Sequence, residues 1–408
     1  MRPLVRWLGK LFVLMLILYV PLTGLAKEIK PGITINKDNY KQYLPELKRL
    51  LDPATYIDIV KALEKGIYSM PITKTHIFPL HKQLHEASQK YSGTSRVGPN
   101  NELIGWKVGM PFPNPKTGAE LCWNLDRRDM GGNQTFFRSD FMLSKNGKLE
   151  RSFKWNYYHY YYTGRFNPPV PEVPGNNGVV RMKESFIVKK PFDVKGFCFI
   201  RTRYEDLFKT DDVFSYIPAI RRVRRLTGAD VCDPILGSDL IYDDFEFMRQ
   251  KITPKMTFKM RVQEMLVPSQ IPYQPWPPKS WPPEKWPEHK MYYLVEMPWE
   301  IRPCYVLEVY INDPEYLYSK RVIYMEKQRL VGVGYYLNTY DQKGRLHRSE
   351  IYWNTFEMAP TYYHNQFGIS CANHLADHRT FLNSVFLQNY QGIRPKDFSF
   401  RWLLRQVK

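Results

Sequence analysis

The sequence predicts an α+β protein in which a large antiparallel sheet takes up most of the chain and a few helices pack on it. From Gln134 to about Thr355, Tyr, Phe, Val and Ile alternate with charged residues at a period of two, the pattern of half-buried strands. The segment before Gln134 has helical spacing instead. Twenty-nine Tyr and 23 Phe among 408 residues add the aromatic content that pleated surfaces favour.

At the N-terminus, Arg2, Arg6 and Lys10 precede an apolar run from Leu11 to Val20, and Pro21 breaks it. Ten residues cannot cross a bilayer, which takes roughly 20. Gly24-Leu25-Ala26 places small residues where signal peptidase cuts, so residues 1–26 are expected to be a cleaved secretory signal and residues 27–408 one exported domain. No cysteine follows the expected cut, so no lipid anchor is indicated. The expected location is the periplasm, with association to the outer membrane as a further option.

The formal charge is +19, and the signal accounts for three of it, leaving +16 on 382 residues. Such a chain attracts anionic partners. Export removes nucleic acid from the choice and leaves lipid headgroups, lipopolysaccharide phosphates or an acidic protein. Cys122, Cys198, Cys232, Cys304 and Cys371 lie far apart, with no Cys-x-x-Cys and no haem-attachment motif, which argues against redox catalysis. An odd count leaves at least one thiol unpaired, and spacing does not say which cysteines pair.

Between Asn36 and Gly66 the spacing predicts two short amphipathic helices, interrupted at Pro45 and Pro53. Another helix is expected near Lys116, where Thr117 can cap AELCWNLDRR. Arg302–Ile311, Ser319–Glu326, Leu330–Tyr340 and Arg345–Phe356 read as a four-stranded meander. Leu375 to Tyr390 returns to helical spacing. Two proline-rich stretches, Asn167–Gly175 and Pro268–Pro287, are expected to be loops, since proline cannot donate to a central ladder. The second holds eight prolines with Trp276, Trp281 and Trp286 in a WPP-like repeat. It is either a rigid connector or a partner-binding arm.

Three constellations could carry chemistry. WNYYHYYY (155–162) sets Trp155, Tyr157, His159 and Tyr161 on one strand face and Asn156, Tyr158, Tyr160 and Tyr162 on the other. It suits either a wide core strand or a cavity wall with hydroxyl tips. Arg221, Arg222, Arg224 and Arg225 precede an acidic cluster of Asp239, Asp243, Asp244 and Glu246, and the two runs are expected to pair, with anion capture by the arginines as the sharper alternative. Cys371, His374 and His378 have metal-ligand spacing, the histidines one helical turn apart if the segment is helical. No nucleophile elbow, P-loop or dinucleotide fingerprint occurs, so no catalytic residues are assigned and no cofactor is expected.

KVGMPFPNPKTGAELCWN (107–124), SYIPAIRRVRRLTG with GSDLIYDDFEF (215–247), and RPCYVLEVYINDPEYLYSKRVIYMEKQ with YDQKGRL (302–346) resemble an exported proteobacterial family of unknown function, domain of unknown function 1329. That family is similar to outer-membrane-lipoprotein sorting proteins of the LolA type. The resemblance implies a strongly curved antiparallel half-barrel whose apolar concave face is covered by helices, and it supplies no catalytic residues. The WPP-rich insertion departs from it.

The expected function is therefore a periplasmic carrier or binding protein for a lipid or other apolar molecule, and not an enzyme. Trp155, Tyr157 and Tyr161 would line the cavity, with Arg222 and Arg224 at its mouth for an anionic headgroup. Two other readings compete. An adaptor would dock on an envelope exporter or outer-membrane protein through Trp276, Trp281 and Trp286, and a metal enzyme would use Cys371, His374 and His378.

Overall fold

A computed structural model describes residues 27–76, 82–91, 93–128, 133–145, 148–226, 232–269, 271–272, 294, 297–327, 334–356, 364–388 and 392–407. The expected signal at 1–26 and the tryptophans Trp276, Trp281 and Trp286 lie outside these residues. No helix among them is long and apolar enough to cross a membrane.

Two meanders form one open sheet. The first comprises β1 (Gln134–Lys145), β2 (Lys148–Tyr161), β3 (Val180–Lys190), β4 (Cys198–Tyr204), β5 (Asp212–Ile217) and β6 (Arg222–Leu226). The second comprises β7 (Met256–Pro268), β8 (Trp299–Ile311), β9 (Lys320–Glu326), β10 (Gly334–Tyr340), β11 (Leu346–Phe356), β12 (His364–Asn373) and β13 (His378–Gln388). The order is β6-β5-β4-β3-β2-β1-β13-β12-β11-β10-β9-β8-β7, with Ile271–Pro272 added beside β11 as a fourteenth, parallel strand. All other pairings are antiparallel, and β13 joins the two meanders by pairing with β1 from His378↔Lys145 to Gln388↔Gln134.

The sheet is strongly curved, and one short segment shows it. Tyr242 donates to Glu184 on β3, while two residues later Asp244 pairs with Arg321 on β9. Those strands are seven steps apart, roughly 34 Å on a flat sheet at about 4.8 Å per strand. Two residues of chain span at most about 7 Å. Side chains of strands stand roughly perpendicular to the sheet and so do not make up the difference along it; the sheet wraps around this segment.

Among the described residues five α-helices accompany the sheet: α1 (Leu44–Leu50), α2 (Pro53–Glu64), α3 (Lys82–Lys90), α4 (Gly118–Asp126) and α5 (Phe400–Val407). Pro45 and Pro53 open α1 and α2 rather than interrupt a helix, since the first turn has no need of a proline N–H. Asp52 caps α2 by accepting from the amides of Ala54 and Thr55 at 3.1 and 3.2 Å. Thr117 caps α4 as its position predicts.

Adjacent residues of the second meander part to opposite faces. Leu307, Ile323, Met325, Leu337, Tyr352 and Leu382 pack in the concave core with α4 and Leu240–Met248. Val306, Val322, Tyr324, Tyr336, Ile351 and Phe381 pack with α1 and α2 on the other face. The helices thus divide between the faces, with α4 inside and α1 and α2 opposite to it. A third cluster, around Tyr158, Tyr160 and Tyr162, lies under Trp402 of α5 and Phe398 just before it.

The segment from Leu375 onward forms the β12–β13 hairpin and not the helix its spacing suggests. β13 is buried on both faces, Phe381 outward and Leu382 inward, so its apolar residues do not alternate. All five cysteines are free thiols, and Cys122, Cys198, Cys304 and Cys371 are buried.

Candidate functional site

The three edge strands β4 to β6 are short. They present Phe199 and Arg201, then Val213, Ser215 and Ile217, then Arg224 and Leu226, each set at the spacing of two that one pleated face requires. Asp233 to Leu236 and Tyr242 lie over this face from above. Between them is a cavity of about 250 Å³, lined mainly by apolar side chains, with Arg201 and Arg224 as its cations.

The two arginines differ. Arg201 is buried, stacks on the Tyr242 ring and lies 3.9 Å from Asp211. Arg224 is exposed, and Arg222 shares its face two residues earlier on β6. Neither Arg222 nor Arg224 makes an ion pair among the described residues, whereas Arg225 pairs with Asp212 at 2.7 Å. The expected pairing of this run with the acidic cluster does not form. Asp244 instead holds Arg321, Asp243 accepts from Tyr316, and Glu246 takes Arg128 and Arg249.

Beyond the cavity the concave core is ionic. Asp126 pairs with Arg181 and Arg127, Glu205 with Arg127, and Asp211 with Arg203 and Lys251. Burial raises the Asp126 carboxyl, yet Arg181, Arg127, Arg203 and Arg128 outweigh it and hold the group at about 2. Glu246 is likewise buried and is held at about 2 by Arg249 and Arg128. Against the second meander the balance reverses: burial pushes up Glu350 on β11, and Asp239 and Asp243 in the connecting segment that packs on it. These groups are structural, since each satisfies a neighbour inside the core.

Trp155, Tyr157 and Tyr161 are no more than 2% exposed. Trp155 and Tyr157 belong to the concave core, packed with Phe186, Phe199 and Phe245, and none of the three borders the cavity. The signal that marks the cavity strands is fainter: the run FCFIR puts Phe197, Phe199 and Arg201 on one face, and VFSYI does the same with Val213, Ser215 and Ile217.

Cys371, His374 and His378 do not converge. They lie on and beside a hairpin, so no helical turn aligns them. The Cys371 thiol faces the Asp239 carbonyl at 3.4 Å, and burial pushes its pKa well up. His374 Nε2 meets Ser349 Oγ at 2.8 Å, and burial brings that imidazole down to about 4. His378 lies between Asp239 at 2.6 Å and Glu150 at 3.2 Å. Among the described residues, no three His, Cys, Asp or Glu side chains form a metal-holding group.

A second cavity, of about 440 Å³, lies by Trp106, Arg127, Thr163 and Glu205 and is more polar. Arg127 stacks between Trp106 and Trp123, at 4.6 and 5.3 Å, and is already paired with Glu205.

A family model described as a protein of unknown function (DUF1329) matches residues 34–396. Among solved structures, a candidate outer-membrane lipoprotein-sorting protein domain from Vibrio parahaemolyticus is 20% identical with a TM-score of 0.49, covering 71% of this chain and 98% of that one. A DUF1329 family protein from Desulfovibrio piger is 16% identical with a TM-score of 0.49, covering 70% and 97%. A LolA superfamily protein from Nitrosomonas europaea is 12% identical with a TM-score of 0.44, covering 71% and 100%. No match is found among curated proteins.

Proposed function

We propose, for a chain that belongs to the DUF1329 family of proteins of unknown function, that it is an exported, periplasmic binding protein for an anionic amphiphile. One apolar chain would enter the cavity under β4 to β6, and the headgroup would meet Arg224 and Arg222. The carrying observation is the pairing of an apolar cavity with two arginines of the same strand face that make no ion pair among the described residues.

Magnitudes decide what such a site can hold. At about 250 Å³ it falls just below the usual range of roughly 300–1,000 Å³ for ligand pockets, so it suits one short chain rather than a whole diacyl lipid. Burying roughly eight methylenes contributes about 6 kcal/mol. Association costs about 4 kcal/mol or more. Apolar burial alone would then bind weakly. Charge-assisted hydrogen bonds to arginine, about 1.5–3 kcal/mol each, would supply the difference.

The test is direct. Protein purified from its own envelope would be examined by native mass spectrometry with organic extraction, and then titrated with fluorescent fatty acids. Leu236→Trp, which fills the cavity, is expected to abolish uptake, and Arg224→Glu to weaken it about tenfold while sparing an uncharged alcohol of the same length. Uptake unaffected by Leu236→Trp would exclude the cavity as the site.

A further inference from the structure

We propose that the end of the sheet bearing the β3–β4 and β5–β6 turns is a docking rim for an anionic lipid surface. This goes beyond the ligand reading, since it concerns where the protein sits rather than what the cavity holds.

Register places the two turns together. Ile187 pairs with Cys198, Cys198 with Tyr216, and Ile217 with Arg222, so both turns leave the sheet at the same end and nearly the same height. Two strand spacings separate them, about 10 Å. At their tips stand Phe192, 90% exposed, and Ile220, 57% exposed. These are among the most exposed large apolar residues described, and nothing in the fold requires them there.

Cations surround the tips. Lys190 and Lys195 flank Phe192, and Arg221 and Arg222 follow Ile220, all exposed. The one carboxylate in these turns, Asp193, is taken by Arg151 of the neighbouring hairpin. Apolar tips ringed by cations match the chemistry of a bilayer interface, where side chains sink about 5–10 Å and anionic headgroups attract Lys and Arg. An acidic protein would satisfy the cations but not two separate apolar tips standing clear of any groove. The cavity opens beside the same end, since Phe197 leaves the β3–β4 turn and Ile217 enters the β5–β6 turn, and both line it. A docked rim would therefore present the cavity to the lipid surface.

Flotation with vesicles tests this. Vesicles of phosphatidylglycerol and phosphatidylethanolamine are expected to retain the protein at low salt and lose it as salt rises, and phosphatidylcholine vesicles to leave it behind. Phe192→Ser with Ile220→Ser should cut retention at least tenfold. Lys190→Glu, Lys195→Glu and Arg221→Glu together should cut it on the order of 100-fold, at roughly fivefold per cation. All five residues are exposed and none lines the cavity, so melting temperature and vesicle-free fatty-acid uptake should not change. Leu236→Trp conversely should float like the parent, which separates failure of the rim from failure of the cavity. Equal retention on phosphatidylcholine, or undiminished flotation of either variant, would overturn the proposal, as would capture by polyglutamate in place of vesicles.

Discussion

The second meander and the outermost strand of the first use arginine in opposite ways. In the second, Arg302 and Arg321 are wholly buried: Arg302 bonds Glu300 at 2.6 Å and Glu326 at 2.9 Å, and Arg321 meets Asp244 at 3.0 Å and the Tyr316 hydroxyl at 2.8 Å. In the first, the edge strand β6 leaves Arg222 and Arg224 exposed beside a cavity. The second meander is thus built as a scaffold, covered on both faces. The first is finished only at its inner strands, and its open edge is where the chain keeps unspent charge and space.

The sharpest way to break this comparison is Arg321→Met. It would leave Asp244 buried without its cation, and a loss of about 3–5 kcal/mol is expected in urea unfolding. Arg222→Gln, on the edge strand, should by contrast change stability by less than about 0.5 kcal/mol.

Acid should separate the halves next. Asp126 titrates at about 2 when folded against 3.8 unfolded, a lowered value, so its contribution is present above pH 4 and is lost as pH falls towards 2. That contribution is about 2 kcal/mol. Glu246 adds in the same direction. Asp239, Asp243 and Glu350 are raised, so protonation favours their folded form and acid does not weaken them. Amide exchange at pH 3 should therefore increase first around α4 and β3 to β5, with β8 to β11 retained. Uniform loss across the sheet would show that the halves are not electrostatically distinct. A smaller effect is expected from Asp52→Ala, about 1 kcal/mol for the lost cap and somewhat more because Asn338 bonds the same carboxylate at 2.8 Å.

The meander from Arg302 to Phe356 was legible because its strands alternate and its turns carry Asp-Pro and Lys-Gly. Thr117 announced α4 for the same local reason. β13 was not legible, because burial on both faces, Phe381 outward and Leu382 inward, erases the period of two, and the apolar residues of the sequence from Leu375 onward imitate a helix. The arginine run lies beside a cavity, yet it does not meet its expected partners: Asp243, Asp244 and Glu246 are claimed by Arg321, Tyr316, Arg128 and Arg249, which lie about 70 or more residues from them or close behind them in sequence. Composition counts such charges but cannot assign them. The aromatic strand drew attention for its bulk, and bulk is what fills a core, so Trp155 and Tyr157 occupy the interior while the smaller Val213, Ser215 and Ile217 leave room.

β13 also sets an order of assembly. The strand that joins the meanders pairs Gln388 with Gln134, across some 250 residues, and closing a loop of that length costs roughly 5 kcal/mol in chain entropy. A chain that emerges from its N-terminus can complete β1 to β6 early, yet β1 keeps an open edge from Gln134 to Lys145 until almost the whole protein has appeared. The next piece, α5, then covers Tyr158 and Tyr160 of β2. The first half of the sheet is accordingly sealed by the last thirty or so residues, so a chain cut short at its C-terminus would be damaged at its beginning, with the edge of β1 open to pairing with other chains and the Tyr158 and Tyr160 face of β2 uncovered.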